Sequence, residues 1–319
     1  MHYDALVGWI PTVLAFALIP WCGLKLAPRR PELSFRLSFA AALALPFLAP
    51  ADLGRGRILL AVFAIVFAIK IWERRRGRVE DPLMWSSPGR YLIWMLVPPP
   101  SRIARTPAEA DRARQEGRQR LKRAGAKYLL LGPLLGLRIL TPQFIEVPWG
   151  HGLWSLWVAY LMVSSTADIV SGLVMQTGLQ VEESFDAPAL ATSPKEFWGK
   201  RWNLFVARFA FRHVFLPLGG IRKPIAATLV VFAVSGLMHE YLVAAAAGHW
   251  SPYAGWTLAF FMIQGLAVAW QTHRERVGAR FGIENRAVAL TVHHLWLIAT
   301  SPLFFIPLDH ACRYSDWWQ

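Results

Sequence analysis

Residues 224–248 read PIAATLVVFAVSGLMHEYLVAAAAG. A helix needs about 20 mostly apolar residues to cross a bilayer, and this stretch meets that length. His239 and Glu240 interrupt it roughly two thirds of the way along. At about 1.5 Å of rise per residue, His239 falls well inside the hydrocarbon. Ionisable groups are costly there, so an intramembrane histidine is a functional candidate by default. Ser235 and Gly236 lie one turn back on the same face and are expected to leave room beside the imidazole. A helix-packing histidine bonded to a neighbouring helix fits the same pattern. No second histidine completes an HExxH zinc motif, and no metal site is expected.

The same reading extends along the chain. Further candidate spans are Ala5–Leu26, Phe35–Ala49, Ile58–Trp72, Tyr128–Thr141, His151–Leu179, Ala254–Gln271 and Ala287–Pro307. Tyr91–Val97 is too short to span and reads as re-entrant or interfacial. The start Met1-His2-Tyr3-Asp4 is not basic, so the first apolar segment is expected to stay as a span. The fold class expected is all-α: a multi-span integral membrane protein of about eight transmembrane helices around an intramembrane tunnel. Residues 1–319 form one domain, without repeats.

Composition agrees. Hydrophobic residues make up 55 % of the 319 and charged residues only 17 %, too apolar for an ordinary soluble enzyme. The formal net charge is nevertheless +14. In a membrane protein such an excess belongs to loops on the cytosolic side. Lys25, Arg29, Arg30 and Arg36 flank the first loop; Arg74, Arg75, Arg76 and Arg78 follow the third span; Arg274, Arg276, Arg280 and Arg286 precede the last. Placing these in the cytosol puts both termini outside, with only Arg55 and Arg57 on the opposite side. Nucleic acid is not needed to explain the charge. Cys22 and Cys312 form no spaced set, so no disulfide framework or cysteine zinc site is expected.

Ser101–Lys127 is the longest polar segment, with nine basic residues against Glu109, Asp111 and Glu116. Thr106-Pro107-Ala108-Glu109 reads as a capping box opening a cytosolic helix that ends near Gly125. A solvated helix and a field attracting anionic lipid headgroups or a phosphorylated donor both fit. Ser193-Pro194-Lys195-Glu196 is a second capping box, and its helix is expected to run to about Phe215. Trp198, Trp202, Phe205 and Phe209 would then share one face, and Asn203 would lie among Gly199, Ala207 and Ala210. Asp168, inside a span, could orient His239, line a polar tunnel, or pair with a basic residue such as Arg138, and a purely structural bond to a neighbouring helix fits equally.

Phe185-Asp186-Ala187-Pro188 through Glu196-Phe197-Trp198-Gly199-Lys200-Arg201-Trp202-Asn203 resembles the signature of the wax synthase-like branch of the membrane-bound O-acyltransferase family. Arg212-His213-Val214-Phe215-Leu216-Pro217 resembles the stretch that follows it, and Ser235-Gly236-Leu237-Met238-His239-Glu240 that family's histidine segment. Lys200 stands where relatives often carry Arg, which keeps the charge. The resemblance implies acyl transfer from acyl-CoA to the hydroxyl of a lipophilic alcohol, with His239 and Asn203 as catalytic residues. Trp198, Lys200, Arg201, Trp202, Ser235, Gly236 and Asp168 are expected to contact substrate. Acyl-CoA, the alcohol and membrane lipid are the partners, and no cofactor is expected. The alternative is a transporter or lipid-binding channel using Asp168 and His239 as a polar relay. Arginine-rich, alanine-rich composition points to a bacterial cytoplasmic membrane, with the endoplasmic reticulum as the eukaryotic counterpart.

Overall fold

The computed structural model describes residues 8–50, 56–77, 81–278, 283 and 285–313. The start of the first expected span (residues 5–7) and Arg55, Arg78 and Arg280 lie outside the described residues. The helices are α1 Ile10–Trp21, α2 Pro31–Ala44, α3 Arg57–Arg75, α4 Pro88–Leu96, α5 Pro107–Leu140 and α6 Pro148–Met175. After them come α7 Leu204–Ala210, α8 Pro224–Ala247, α9 Trp256–Arg276, α10 Arg286–Thr300 and α11 Pro302–Cys312. Strands β1 Ser101–Ile103 and β2 Leu179–Val181 pair antiparallel, with Arg102 opposite Gln180. The fold is therefore almost entirely helical, and the small sheet is an addition to the all-α expectation.

Among the described residues, α6 and α8 are each long and apolar enough to cross a membrane. α10 and α11 pass that test together and are bent by 46° at their junction. Large apolar side chains also face outward along the second half of α5, where Leu129 and Leu140 are each 79 % exposed. Apolar surface of that extent calls for lipid rather than water.

Two helices differ from their expected limits. Gly125 does not end the cytosolic helix; α5 runs unbroken through it to Leu140. A glycine inside a helix costs only about 1 kcal/mol relative to alanine, and long-range packing overrides it. The short segment Tyr128–Thr141 is thus the continuation of a 34-residue helix. Its start is as expected: Thr106 Oγ1 accepts from Glu109 N at 3.2 Å, while Glu109 accepts from Arg105 N at 2.8 Å.

α5 packs along α6 in a seam closed at one end by glycines. A Cβ on Gly117 would sit 2.8 Å from the Gly172 carbonyl oxygen, and one on Gly172 would sit 2.9 Å from that of Gly117. Further along, buried Asp168 binds both Arg123 and Lys127, the latter at 2.7 Å. Arg123 also reaches Glu183 at 2.5 Å. Arg120, itself buried, donates to the carbonyls of Val181 (2.9 Å) and Glu182 (3.2 Å) and so ties β2 to α5. A second core joins α1–α4 to α7. In it the Lys70 ammonium lies 5.1 Å from the Trp94 ring centre and 5.5 Å from that of Phe205.

Breaking a buried ion pair by removing one partner costs about 3–5 kcal/mol, whereas an exposed pair is worth about 0.2–1 kcal/mol. Arg123 is partly exposed, which places Asp168 toward the lower part of that range. Asp168→Asn is expected to lower the melting temperature of the detergent-solubilised protein by several degrees. Asp111→Asn, which removes the exposed pair with Arg114, is expected to leave it unchanged.

Candidate active site

The helix expected to run from Ser193 to Phe215 is broken in the middle. It opens as a short turn, Pro194–Glu196, with Ser193 Oγ accepting from Glu196 N at 3.2 Å. It widens to a π-turn over Phe197–Arg201 and stops at Trp202. Asn203 takes the left-handed conformation (φ 44°, ψ 60°), and its Oδ1 caps the new helix α7 by accepting from Val206 N at 3.4 Å. Asparagine tolerates that region better than most residues because its short amide bonds locally. The faces expected from one continuous helix therefore do not carry across the break.

The loop before this turn is clamped to it. Arg201 donates to the Asp186 carbonyl at 3.0 Å and pairs with Glu196 at 2.7 Å. Backbone bonds run from Asp186 N to Arg201 O and from Leu204 N to Ser184 O, both at 2.9 Å. Glu196 accepts from both the backbone N–H and the hydroxyl of Thr192 at 2.8 Å. Burial alone would push the Glu196 carboxyl up, but the Thr192 and Arg201 hydrogen bonds outweigh it and hold the group at about 2. Arg201 is thus a structural clamp for the motif, and Lys200 beside it is exposed.

Helix α9 receives the motif through two glutamines. Gln271 Oε1 accepts from Lys195 N at 2.9 Å, at the motif's first turn. Gln264 is fully buried; its Oε1 accepts from the indole N–H of Trp198 (3.2 Å) and of Trp296 (3.1 Å), and its amide donates to Thr300 at 2.8 Å. The two lie seven residues apart and so share one helical face. Two polar amides seven residues apart on a largely apolar helix are a signal legible in the sequence.

His239 faces α9 and α11. Its ring stacks on Phe261 at 4.3 Å and meets Phe304 edge-on at 5.4 Å. Nδ1 lies 2.7 Å from the Ser235 carbonyl oxygen, which can only accept. That bond requires the proton on Nδ1 and leaves the Nε2 lone pair available, the tautomer a general base needs. Ser235 therefore serves through its backbone. The space at Gly236 is filled rather than open: a Cβ there would lie 2.9 Å from the Leu258 Cα. Next to it, the buried Glu240 carboxylate accepts from Thr257 Oγ1 (2.5 Å) and Leu258 N (2.9 Å) and so caps the start of α9.

Phe261 is the common neighbour that joins the two motifs. Trp198 lies 5.5 Å from it on one side and His239 on the other. Phe205 and Val206, just past Asn203, share an apolar cluster with Met238, just before His239. Asp168 belongs to the α5–α6 seam instead, and its cations are Arg123 and Lys127; Arg138 lies over the Trp154 ring at 5.7 Å. An apolar cavity of about 340 Å³ flanks α8 on another face, between Ile69 and Trp72 of α3, Phe209 of α7, and Leu237 and Tyr241.

Residues 181–263, which hold Asn203, His239 and Phe261, match the family model described as the membrane bound O-acyl transferase family. The chain is 33 % identical over 123 residues to a probable long-chain-alcohol O-fatty-acyltransferase 6 of Arabidopsis thaliana, covering 36 % of this chain and 35 % of that protein. It is 28 % identical over 162 residues to an acyl-CoA–sterol O-acyltransferase 1 of the same plant, covering 48 % and 45 %. A long-chain-alcohol O-fatty-acyltransferase of Simmondsia chinensis is 35 % identical over 103 residues, covering 29 % and 28 %. The chain spans under half the length of each of these relatives.

The depressed Glu196 carboxyl has a pH consequence. Its folded value lies below the ordinary 4.5, so its stabilisation is fully present above that pH and is lost as pH falls toward about 2. Glu196→Gln is expected to lower the melting temperature at neutral pH and to flatten its decline in acid, as read from thermal unfolding at stepped pH. Asn203→Ala is expected to cost about 1–2 kcal/mol through the left-handed backbone, and Asn203→Gly less, in the same assay.

Proposed function

We propose that the protein transfers an acyl group from acyl-CoA to the hydroxyl of a lipophilic alcohol within the membrane. The observation that carries this reading is the fixed tautomer of His239 inside the family-matched segment. His239 Nε2 takes the proton of the acceptor hydroxyl as its oxygen attacks the thioester carbonyl. The tetrahedral intermediate collapses, the C–S bond breaks, and the CoA thiolate recovers the proton from the imidazolium. Both carbonyl carbon and alcohol are consumed in the ester, so no cofactor enters the balance. Asn203 positions the thioester or donates to the oxyanion, a contribution of about 2.7–4 kcal/mol when such a donor is present.

The eight apolar segments would all cross the bilayer around this centre. The donor's phosphates would remain at the cytosolic face near exposed Arg118, Lys122 and Lys200. Much of the remaining basic cluster is bound internally, as in Arg105–Asp81 (3.0 Å) and Arg120–Glu116 (2.5 Å), which narrows the docking field to fewer side chains. The plant relatives support the endoplasmic reticulum over the bacterial membrane suggested by composition. A transporter relay is disfavoured because Asp168 is held by two cations away from the Phe261 cluster.

The test is ester formation from labelled acyl-CoA and a panel of fatty alcohols and sterols by the purified protein. His239→Ala is expected to lower the rate by about 10²–10⁴, the usual worth of a general base. Ester formation that persists unchanged would overturn the assignment. Raising ionic strength is expected to raise the KM for acyl-CoA and leave that for the alcohol in place, as is Arg118→Gln combined with Lys122→Gln.

A further inference from the structure

The cavity of about 340 Å³ beside α8 lies apart from the histidine: neither His239 nor Asn203 lines it. Its wall includes Phe39 and Leu43 of α2, Ile65 and Trp72 of α3, and Leu237 and Tyr241 of α8. From Ile65 to Trp72 it extends about 10 Å along α3, at about 1.5 Å of rise per residue. Its size falls within the range of ligand pockets, about 300–1,000 Å³. The two side-chain donors in the wall are spent on the protein. Trp72 donates its indole N–H to His213 Nδ1 at 3.4 Å, and Tyr241 donates its hydroxyl to the Leu43 carbonyl at 2.8 Å. Leu237 is 58 % exposed, so the cavity opens sideways toward the bilayer. Its Trp72 end carries a cationic rim. The Arg76 guanidinium lies 5.2 Å from the Trp72 ring centre. Phe35 meets Trp72 edge-on at 6.0 Å and stacks on Phe39 at 5.3 Å, and the Arg75 guanidinium lies 4.6 Å from the Phe35 ring centre. Arg36, one turn before Phe39 on α2, shares a single carboxylate, Glu32, with Arg75. Glu73, on the same turn of α3, turns to His213 at 3.9 Å instead. Arg36, Arg75 and Arg76 are all exposed.

We propose that this cavity and its rim bind a bilayer phospholipid with an anionic headgroup. One acyl tail fills the cavity, and the phosphate rests on Arg36, Arg75 and Arg76. The chemistry selects the class. A wall whose donors are already spent takes hydrocarbon and leaves a hydroxyl or carboxylate without a partner. A guanidinium packed on an aromatic ring still has N–H groups to bond phosphate oxygens. Three arginines against one carboxylate favour a headgroup of net negative charge, and the cation of a choline headgroup would meet like charge there. The sideways opening draws the ligand from the bilayer. An acyl-CoA seated here would hold its thioester on a face of α8 away from His239, which faces α9 and α11, so the donor is not the occupant. The bound tail braces α2 and α3 against α8. This lipid is not a reactant, and its binding does not rest on the acyl-transfer reading.

The experiment is native mass spectrometry of the full chain in nonionic detergent, with phosphatidylglycerol and phosphatidylcholine of identical tails. Phosphatidylglycerol is expected to be retained about fivefold or more over phosphatidylcholine, the worth of a juxtamembrane arginine or more. Arg75→Gln combined with Arg76→Gln, both at exposed positions, is expected to remove that preference. Ala68→Leu, which adds bulk to the cavity wall, is expected to reduce retention of both lipids with the arginines intact. A phosphatidylglycerol carrying a diazirine in its tail is expected to label peptides holding Trp72 or Leu237, and carries the same test should Ala68→Leu not fold. His239→Ala is expected to keep both retention and labelling even where ester formation is lost, which separates this site from the catalytic reading. Equal retention of the two lipids, retention indifferent to the arginine pair, or labelling confined to other helices would overturn the site. Displacement of the label by acyl-CoA but not by unlabelled phosphatidylglycerol would overturn it too, and would make the donor the occupant.

Discussion

The buried carboxylate of Glu240 holds the first turn of α9, accepting from the Thr257 hydroxyl and the Leu258 backbone N–H. A helix start has N–H groups without intrahelical partners, and where they are buried they need another acceptor. Glu240 answers that need from α8, one residue beyond His239. Gly236, one turn earlier, lets the α9 backbone come close enough for the bond to form. The two together set the angle and register of α9 against α8, and Phe261 falls against the imidazole as a result. From there α9 presents Gln264 to Trp198 and Gln271 to Lys195, so the histidine and the motif turn are docked on one helix.

The same economy of polar groups runs through the charged half of the molecule. A chain with a net charge of +14 suggests a wide cationic surface. The fold instead spends much of that charge on itself. Asp168 takes two cations at the α5–α6 seam, Glu183 is shared by Arg120 and Arg123, and Glu196 locks Arg201. Arg201, in the middle of the motif, is a clamp for the loop at Asp186 and Ala187. A positive residue within a family motif is therefore not by itself a ligand contact. The exposed remainder, such as Arg118, Lys122 and Lys200, is what a polyanionic donor would meet.

Local signals were legible where one element settles the matter. The capping residues Thr106 and Ser193 start helices as their sequences imply. The apolar segments 151–179 and 224–248 became α6 and α8 because hydrophobic length is a property of one stretch. Gly125 misled, since a single glycine is too weak a signal against the packing of a long helix. The break at Asn203 was equally hidden, because the helical period of its flanks continues through it in the sequence. Gln264 carried a visible sign, yet its partners Trp198, Trp296 and Thr300 come from three separate stretches.

By itself the sequence determined a helical membrane chain, the motif around Asn203 and the histidine of residue 239, because periodicity, hydrophobic length and motif order are all local. The tertiary structure decided what those residues do to one another: Asp168 bound in a seam, Gly236 filled by α9, Arg201 spent as a clamp, and His239 set against Phe261 with its Nδ1 committed. Each of these depends on which helices approach closely enough to exchange a hydrogen bond. That choice is made by buried polar groups with no water to turn to, and such partners lie far apart in the chain.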